Sequence, residues 1–328
     1  MSNEILVQAT HVKKWFPIKK WFFEKQNYVK AVDDVSLTLY RGETLGIVGE
    51  SGCGKSTLAR TLLRLIEPTG GEIIFNGEDI SKLSERQMRK MRQKIQIIFQ
   101  DPFSSLNPSK TVMEAIAEPM RVHKLFKTEK EVEARVLELM ELVGLSERLI
   151  NSYPHELDGG RRQRVGIARA LALNPEFIVC DEPVSALDVS IQAQILNLMK
   201  KLQKEMNLTY IFITHDLSVV NHFSDEIAVM YLGQIVEKAP AEELFQNPLH
   251  PYTKALLSAI PVPKIWMRDK EIQTIKGEVK SPINVPEGCR FAGRCDHACA
   301  KCMERTPELK DYGNGHFCAC ARIEEDIF

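Results

Sequence analysis

The chain of 328 residues carries 43 basic and 44 acidic side chains, a formal net charge of -1. That length accommodates one large α/β domain and a smaller appendage, and the balanced charge provides no basic field for sequence-blind nucleic-acid binding. No apolar stretch approaches the roughly 20 residues that span a bilayer. Met1-Ser-Asn-Glu-Ile5 also lacks the apolar core of a signal peptide, so the sequence reads as a cytoplasmic protein that reaches a membrane only through partners.

In chain order, the apolar run Leu45–Val48 predicts a strand, Gly49-Glu-Ser-Gly-Cys-Gly-Lys-Ser-Thr57 a turn, and Leu58–Arg64 a helix. Further strands are predicted at Ile95–Phe99, Phe177–Cys180, Tyr210–Ile213 and Ile227–Tyr231. Continuous apolar runs rather than alternation indicate strands buried on both faces of a largely parallel sheet. Between Ser84 and Tyr153 the pattern is mostly helical. There Thr128-Glu-Lys-Glu131 forms a capping box, with Val132, Val136, Met140 and Val143 inward and Gly144 at the end. Ile191, Ile195, Leu198 and Leu202 give a later helix its apolar stripe. Prolines at 248, 251, 261, 263, 282 and 286 mark a change after Pro240, consistent with a core over residues 1–240 and an extension over 241–328.

Strand, glycine-rich turn and helix together form a phosphate-binding loop. Gly49, Gly52 and Gly54 let backbone N–H groups curl around a phosphate, and the helix that follows adds the positive end of its dipole. Lys55 is placed for the β- and γ-phosphates and Ser56 for Mg²⁺, with Ser51, Cys53 and Thr57 lining the same loop. Phe177-Ile-Val-Cys-Asp-Glu182 is a strand ending in two acids: Asp181 suits Mg²⁺ held through water, and Glu182 suits a catalytic base. His215 follows another strand, where a γ-phosphate contact is expected. Gln100 follows Ile95–Phe99, where it can meet Mg²⁺ or the attacking water, and Ser185-Ala-Leu-Asp188 lies just beyond the acid pair.

This order of motifs, with Tyr153-Pro-His-Glu-Leu-Asp-Gly-Gly-Arg-Arg-Gln-Arg-Val-Gly-Ile-Ala-Arg169, resembles the ATP-binding cassette ATPases over residues 5–240. Asp101-Pro-Phe-Ser-Ser-Leu-Asn-Pro108, Tyr231-Leu-Gly-Gln-Ile-Val-Glu237 and Asn247–Pro261 narrow the resemblance to ATPase subunits of dipeptide and oligopeptide importers, the F-type partner of a D/F pair. The resemblance implies a P-loop NTPase of α/β class: a RecA-like parallel-sheet core, an antiparallel β-subdomain, a helical subdomain inserted near residues 84–165, and a cysteine-rich metal-binding extension. It implies a head-to-tail dimer with a homologous D-type ATPase, each ATP lying between one chain's loop and the other's signature, here Asp158, Gly159 and Gly160, with Asp188 nearby. It further implies docking, near Gln100 and the helical insertion, onto two integral membrane permease subunits served by an extracytoplasmic peptide-binding protein. An adenine-stacking aromatic is implied near the N-terminus. Phe16 aligns best, with Trp15 or Tyr28 as alternatives, and a packing role for the patch Trp21, Phe22 and Phe23 also open.

The chain departs from its family at Leu157-Asp-Gly-Gly-Arg161, where Leu-Ser-Gly-Gly-Gln is usual. An ionised Asp158 cannot donate to a γ-phosphate, and two unit charges about 4 Å apart repel by roughly 4 kcal/mol at an effective dielectric near 20. Asp158 is equally a good helix cap and an i,i+4 partner for Arg162. The expectation is an asymmetric heterodimer whose second ATP site is degenerate. Cys53, at a helix N-terminus, is expected to have a lowered thiol pKa, and Cys180 to be inert core.

Six cysteines crowd the tail. Cys289, Cys295, Cys302 and Cys318 match the spacing that peptide-importer ATPases use for a [4Fe-4S] cluster, within residues 285–322. Zn²⁺ competes through Cys299-Ala-Lys-Cys302, His297 and His316, and Cys299 and Cys320 are spare or alternative ligands. Cargo is unreadable: dipeptides, longer peptides, nickel chelates and glycans stay open. So does a soluble cassette ATPase acting on nucleic acid or ribosomes.

Overall fold

The computed structural model describes residues 4–18, 26–260, 277, 281–285 and 287–323. The patch Trp21, Phe22 and Phe23 and the prolines at 261, 263 and 286 lie outside the described residues. The strands are β1 (Ile5–Pro17), β2 (Tyr28–Tyr40), β3 (Thr44–Val48), β4 (Gly70–Phe75), β5 (Glu78–Asp79), β6 (Ile95–Ile98), β7 (Phe177–Asp181), β8 (Thr209–Ile213), β9 (Glu226–Tyr231), β10 (Gln234–Pro240), β11 (Lys310–Asp311) and β12 (Phe317–Cys318). The helices are α1 (Lys55–Leu62), α2 (Glu85–Met91), α3 (Pro102–Ser105), α4 (Val112–His123), α5 (Glu129–Leu142), α6 (Gly159–Leu171), α7 (Val189–Met206), α8 (Leu217–Phe223), α9 (Ala241–Gln246), α10 (Pro251–Ser258) and α11 (Lys301–Glu304).

The chain forms two compact units. The first comprises Met1–Leu6, Leu39–Glu43 and Lys82–Ile213. In it β6, β7 and β8 run parallel, with Ile95 opposite Phe177 and Phe177 opposite Thr209. Every residue of β7 and β8 is buried, which is why their sequences are unbroken apolar runs rather than alternating ones. Each fully buried branched side chain there, such as Val179 or Ile211, contributes about 1.5–3 kcal/mol relative to exposure. The expected capping box opens α5: Glu131 N–H donates to Thr128 Oγ1 (3.3 Å) and Thr128 N–H to the Glu131 carboxylate (2.9 Å). The helix buries Val132, Val136, Leu139 and Met140 and stops at left-handed Gly144 (φ +70°). In α7 the fully buried stripe is Ile195, Met199 and Leu202, while Ile191 and Leu198 are half-buried.

The second unit comprises Val7–Thr38, Thr44–Ser81 and Thr214–Phe328. Here β3, buried at all five residues, runs parallel to β9, with Leu45 opposite Glu226 and Val48 opposite Val229. From β9 the ladder turns antiparallel through β10, β12 and β11. The β9–β10 turn uses Leu232 and Gly233, both at positive φ. A second sheet has the order β2-β1-β4-β5, with β1–β4 and β4–β5 antiparallel. The expectation of a largely parallel sheet is therefore corrected to a mixed one, because β10 reverses direction beside β9 and the tail strands β12 and β11 continue the ladder antiparallel. Among the described residues no helix is long and apolar enough to cross a membrane.

Candidate functional site

The turn after β3 is closed tightly by backbone. Gly49 has φ +151°, and a Cβ there would lie 2.1 Å from the Met230 carbonyl oxygen; at Gly54 (φ +107°) it would lie 2.0 Å from that of Ala31. Main chain cannot yield at such distances, so these positions are glycine by sterics as well as by conformation. Gly54 caps α1, whose first turn holds no acid, leaving its positive end to an external anion. Lys55 is buried, and its ammonium donates to the carbonyls of Gly49 (2.8 Å) and Glu50 (3.0 Å). Ser56 and Thr57 are half-buried, while Ser51 and Gly52 are exposed.

Cys53 corrects an expectation. Its thiol is 3% exposed, and burial pushes its pKa up, Lys55 opposing only in part. Cys180 is fully buried with its thiol pKa raised, the inert core residue its strand position implied.

In the first unit the structure brings Gln100 and Glu182 together: the Gln100 amide donates to Glu182 Oε2 at 2.9 Å. Asp181 is buried at the end of β7. Glu182 takes a left-handed backbone (φ +48°), its N–H donating to the Ile213 carbonyl. A non-glycine residue held at positive φ is strained, and such residues concentrate at functional sites; nothing in the sequence announced it. Asp188 caps α7, accepting from the Ile191 N–H (3.0 Å) and the Ser190 hydroxyl (2.8 Å), which hold its carboxyl pKa down. Asp158 caps α6, accepting from the Arg161 N–H at 2.8 Å. Its side-chain ion partner is Arg161 (3.2 Å), not Arg162, whose guanidinium donates to the Pro154 carbonyl.

In the second unit His215 is exposed just after β8, next to a turn in which the Asp216 N–H donates to Thr214 Oγ1. Phe16 and Tyr28 are each 37% exposed. Trp15 is pinned, its indole N–H donating to Asp33 (2.9 Å) beneath the Lys30 ammonium, while the Lys14 ammonium lies 5.0 Å over the Phe16 ring and Tyr28 tilts against Trp15 at 6.1 Å.

Residues 32–185 match the family model for ABC transporters, and residues 236–302 that for the oligopeptide/dipeptide transporter C-terminal region. The chain is 55% identical to the oligopeptide transport ATP-binding protein AppF of Bacillus subtilis, over 97% of this chain and 98% of that one. The chain belongs to the ATP-binding proteins of the ABC transporters. Against the oligopeptide transport protein OppF of B. subtilis identity is 60%, covering 95% and 96% of the two chains. Against the dipeptide transport protein DppF of Escherichia coli it is 49%, covering 98% and 95%. Among solved structures, the dimeric ATP-binding cassette MJ0796 bound to ADP and Pi superposes with a TM-score of 0.64 at 32% identity, covering 72% of this chain and 99% of that one.

In this ABC ATPase the tail departs from the predicted metal set. Among the described residues no group of three or more His, Cys, Asp or Glu side chains is arranged to hold a metal ion. Cys318 pairs in β12 and is buried with Cys320, Ile323 and Leu249, apart from the cluster of Cys302, Ala292 and Ala321 against which Cys289 and Cys299 pack. A small cavity of about 20 Å³ is lined by Cys289, Cys295, Cys302 and Cys320, with His250 and His297 at its wall. Burial pushes the Cys289 thiol up to about 11 and raises those of Cys295 and Cys302 as well. His316 takes no part: its ring lies 2.8 Å from the wholly buried Glu237, which also accepts from the N–H groups of Leu249 and His250.

Proposed function

We propose that this ABC ATPase energises the import of oligopeptides or dipeptides, working with permease subunits at the cytoplasmic face of the membrane and with an extracytoplasmic peptide-binding protein. The observation that carries this reading is similarity along nearly the full chain, tail included, to proteins named for oligopeptide and dipeptide transport. That similarity favours peptides over nickel chelates or glycans, and a transporter over a cassette acting on nucleic acid or ribosomes. The matched models also support a boundary near residue 240, with the cassette before it and the peptide-importer extension after it.

In this reading the triphosphate lies on the loop at the start of α1. Lys55 exchanges two neutral carbonyl partners for charged phosphate oxygens, a stronger class of hydrogen bond. Ser56, Gln100 and the buried Asp181 offer the oxygen donors that Mg²⁺ prefers; the ion, when bound, offsets charge on the phosphates. Glu182, steadied by Gln100, takes the proton of the attacking water, and His215 supports the γ-phosphate. Phe16 stacks on adenine. Gly49, Ser51, Gly52, Cys53, Gly54 and Thr57 line the phosphates. Docking to a permease is assigned to the region near Gln100 and the helical insertion, where Phe103, Val122 and Leu125 are exposed.

The working unit is a heterodimer with a homologous D-type ATPase, in which Asp158, Gly159, Gly160 and Asp188 face the partner's nucleotide. The Asp158 carboxylate is occupied with its own helix and with Arg161, so it offers no donor to a γ-phosphate, and the site it serves is the degenerate one. In the reconstituted transporter, Asp158→Ser is expected to raise turnover at the partner-loop site severalfold, about 1 kcal/mol of recovered hydrogen bonding; unchanged turnover and affinity there would reject the degenerate site. The function itself is tested by ATP hydrolysis in proteoliposomes: binding protein loaded with peptide stimulates it, and indifference to peptide argues against peptide import.

For the tail, the proposed thiolate set for an iron–sulfur cluster, with Zn²⁺ as competitor, is Cys289, Cys295 and Cys302 with Cys318 or Cys320 as the fourth; the two pack together, and Cys320 alone of them lines the cavity of the first three. Metal analysis of anaerobically purified protein separates the two: iron lost in Cys320→Ser and retained in Cys318→Ser makes Cys320 the fourth ligand. The reverse pattern makes it Cys318, and metal-free parent protein removes both.

A further inference from the structure

The phosphate-binding loop is held from outside by the tail. We propose that Arg294 and Tyr252 are positioning residues for nucleotide binding, gripping the loop through Glu50; this rests on the reading of that loop as the ATP site.

Every polar group of Glu50 is engaged. Its carboxylate accepts a two-pronged pair from Arg294, Nη1 to Oε2 at 2.7 Å and Nη2 to Oε1 at 3.1 Å. Its N–H donates to the Tyr252 hydroxyl at 2.9 Å, and its carbonyl accepts from Lys55 at 3.0 Å. The Arg294 side chain is 8% exposed and that of Glu50 is 24% exposed, so water screens this pair far less than a surface one. The forked geometry fixes direction as well as distance. Because the Glu50 carbonyl is also a partner of the Lys55 ammonium, the position of Glu50 sets where that ammonium rests.

The grip itself is rigid. Tyr252 lies in the first turn of α10 and is fully buried, and burial raises its phenol pKa so that it stays neutral. Its ring stands edge-on to Tyr231 at 4.7 Å and packs on Phe291 at 5.3 Å. Phe291 and Arg294 lie between Cys289 and Cys295, and the Cys289 N–H donates to the Cys302 carbonyl at 2.7 Å. The next arginine, Arg290, pairs with Asp33 of β2 and donates to the Leu232 carbonyl. The tail thus braces the loop at Glu50 from one side while the β9–β10 turn meets it from another, the Gly233 N–H donating to the Cys53 carbonyl at 2.7 Å.

ATP binding to the full-length chain with Mg²⁺, measured at equilibrium, tests this. Arg294→Ala and Glu50→Ala are each expected to weaken ATP about tenfold, and the double variant no more than either alone, since both remove one interaction. Tyr252→Phe gives a smaller loss, and Arg294→Lys recovers part of it; these two milder variants carry the test if the alanine variants fail to fold. In turnover the deficit falls on the KM for ATP, with kcat within about twofold, as expected for loss of binding rather than of chemistry. Affinity unchanged in Arg294→Ala or Arg294→Lys, or effects that simply multiply in the double variant, overturn the clamp. Lys55→Ala is measured alongside: ATP retained there overturns the underlying nucleotide site, whereas ATP lost there with Arg294 variants unaffected overturns only the clamp.

Discussion

Glu182→Gln is expected to lower ATP turnover of the assembled transporter by about 10²–10⁴-fold, the usual range for loss of a general base, while ATP still binds. The substitution keeps side-chain length, and an amide oxygen can still accept from the Gln100 amide, now at 2.9 Å from a carboxylate oxygen. The strained left-handed backbone of Glu182 is fixed by its N–H bond to Ile213 and by the turn in which Ser185 N–H and hydroxyl bond the Glu182 carbonyl, so it is unaffected. What is lost is the capacity to take a proton from water. Measuring hydrolysis and ATP retention on the same preparation separates the two effects. Turnover within about tenfold of the parent would move the base elsewhere, since a group replaced by an isosteric amide cannot accept the proton.

Much of the architecture was legible because burial leaves a plain imprint. Thr44–Val48, Phe177–Asp181 and Thr209–Ile213 are buried at every residue, and the apolar runs within them predict these strands to within a residue. The Thr128–Glu131 capping box was legible for a similar reason: it is a local motif whose partners lie three residues apart. What sequence did not disclose was set by distant contacts or by details of local geometry. The antiparallel side of the sheet uses the two-residue strands β11 and β12, too short for any periodicity.

The site followed the same division. Spacing along a helix suggested Asp158 with Arg162. Asp158, however, precedes the helix in extended conformation (ψ 168°), and from there Arg161 is the arginine it meets. A helix N-terminus suggests a reactive Cys53, but desolvation outweighs the Lys55 ammonium and the hydrogen bonds that favour the thiolate. Cysteine spacing also could not show that Cys289, Cys295, Cys302 and Cys320 line one cavity while Cys318 pairs in β12. The Glu50–Arg294 pair joins residues 244 apart in sequence, and neither residue carried a local signal.

Lys55→Ala has the second large effect expected, and it bears on the central claim. The ammonium is buried and, among the described residues, held by neutral carbonyls and a thiol, an arrangement that favours an arriving phosphate. Removing it deletes a charge-assisted contact in a water-poor site, worth about 1.5–3 kcal/mol, or roughly 10- to 150-fold in affinity. The most direct measurement is retention of labelled ATP by full-length protein with Mg²⁺. The parent chain is expected to retain nucleotide and Lys55→Ala to lose it by at least about tenfold; equal retention by the two, or none by either, would contradict a nucleotide-driven transporter subunit built on this loop.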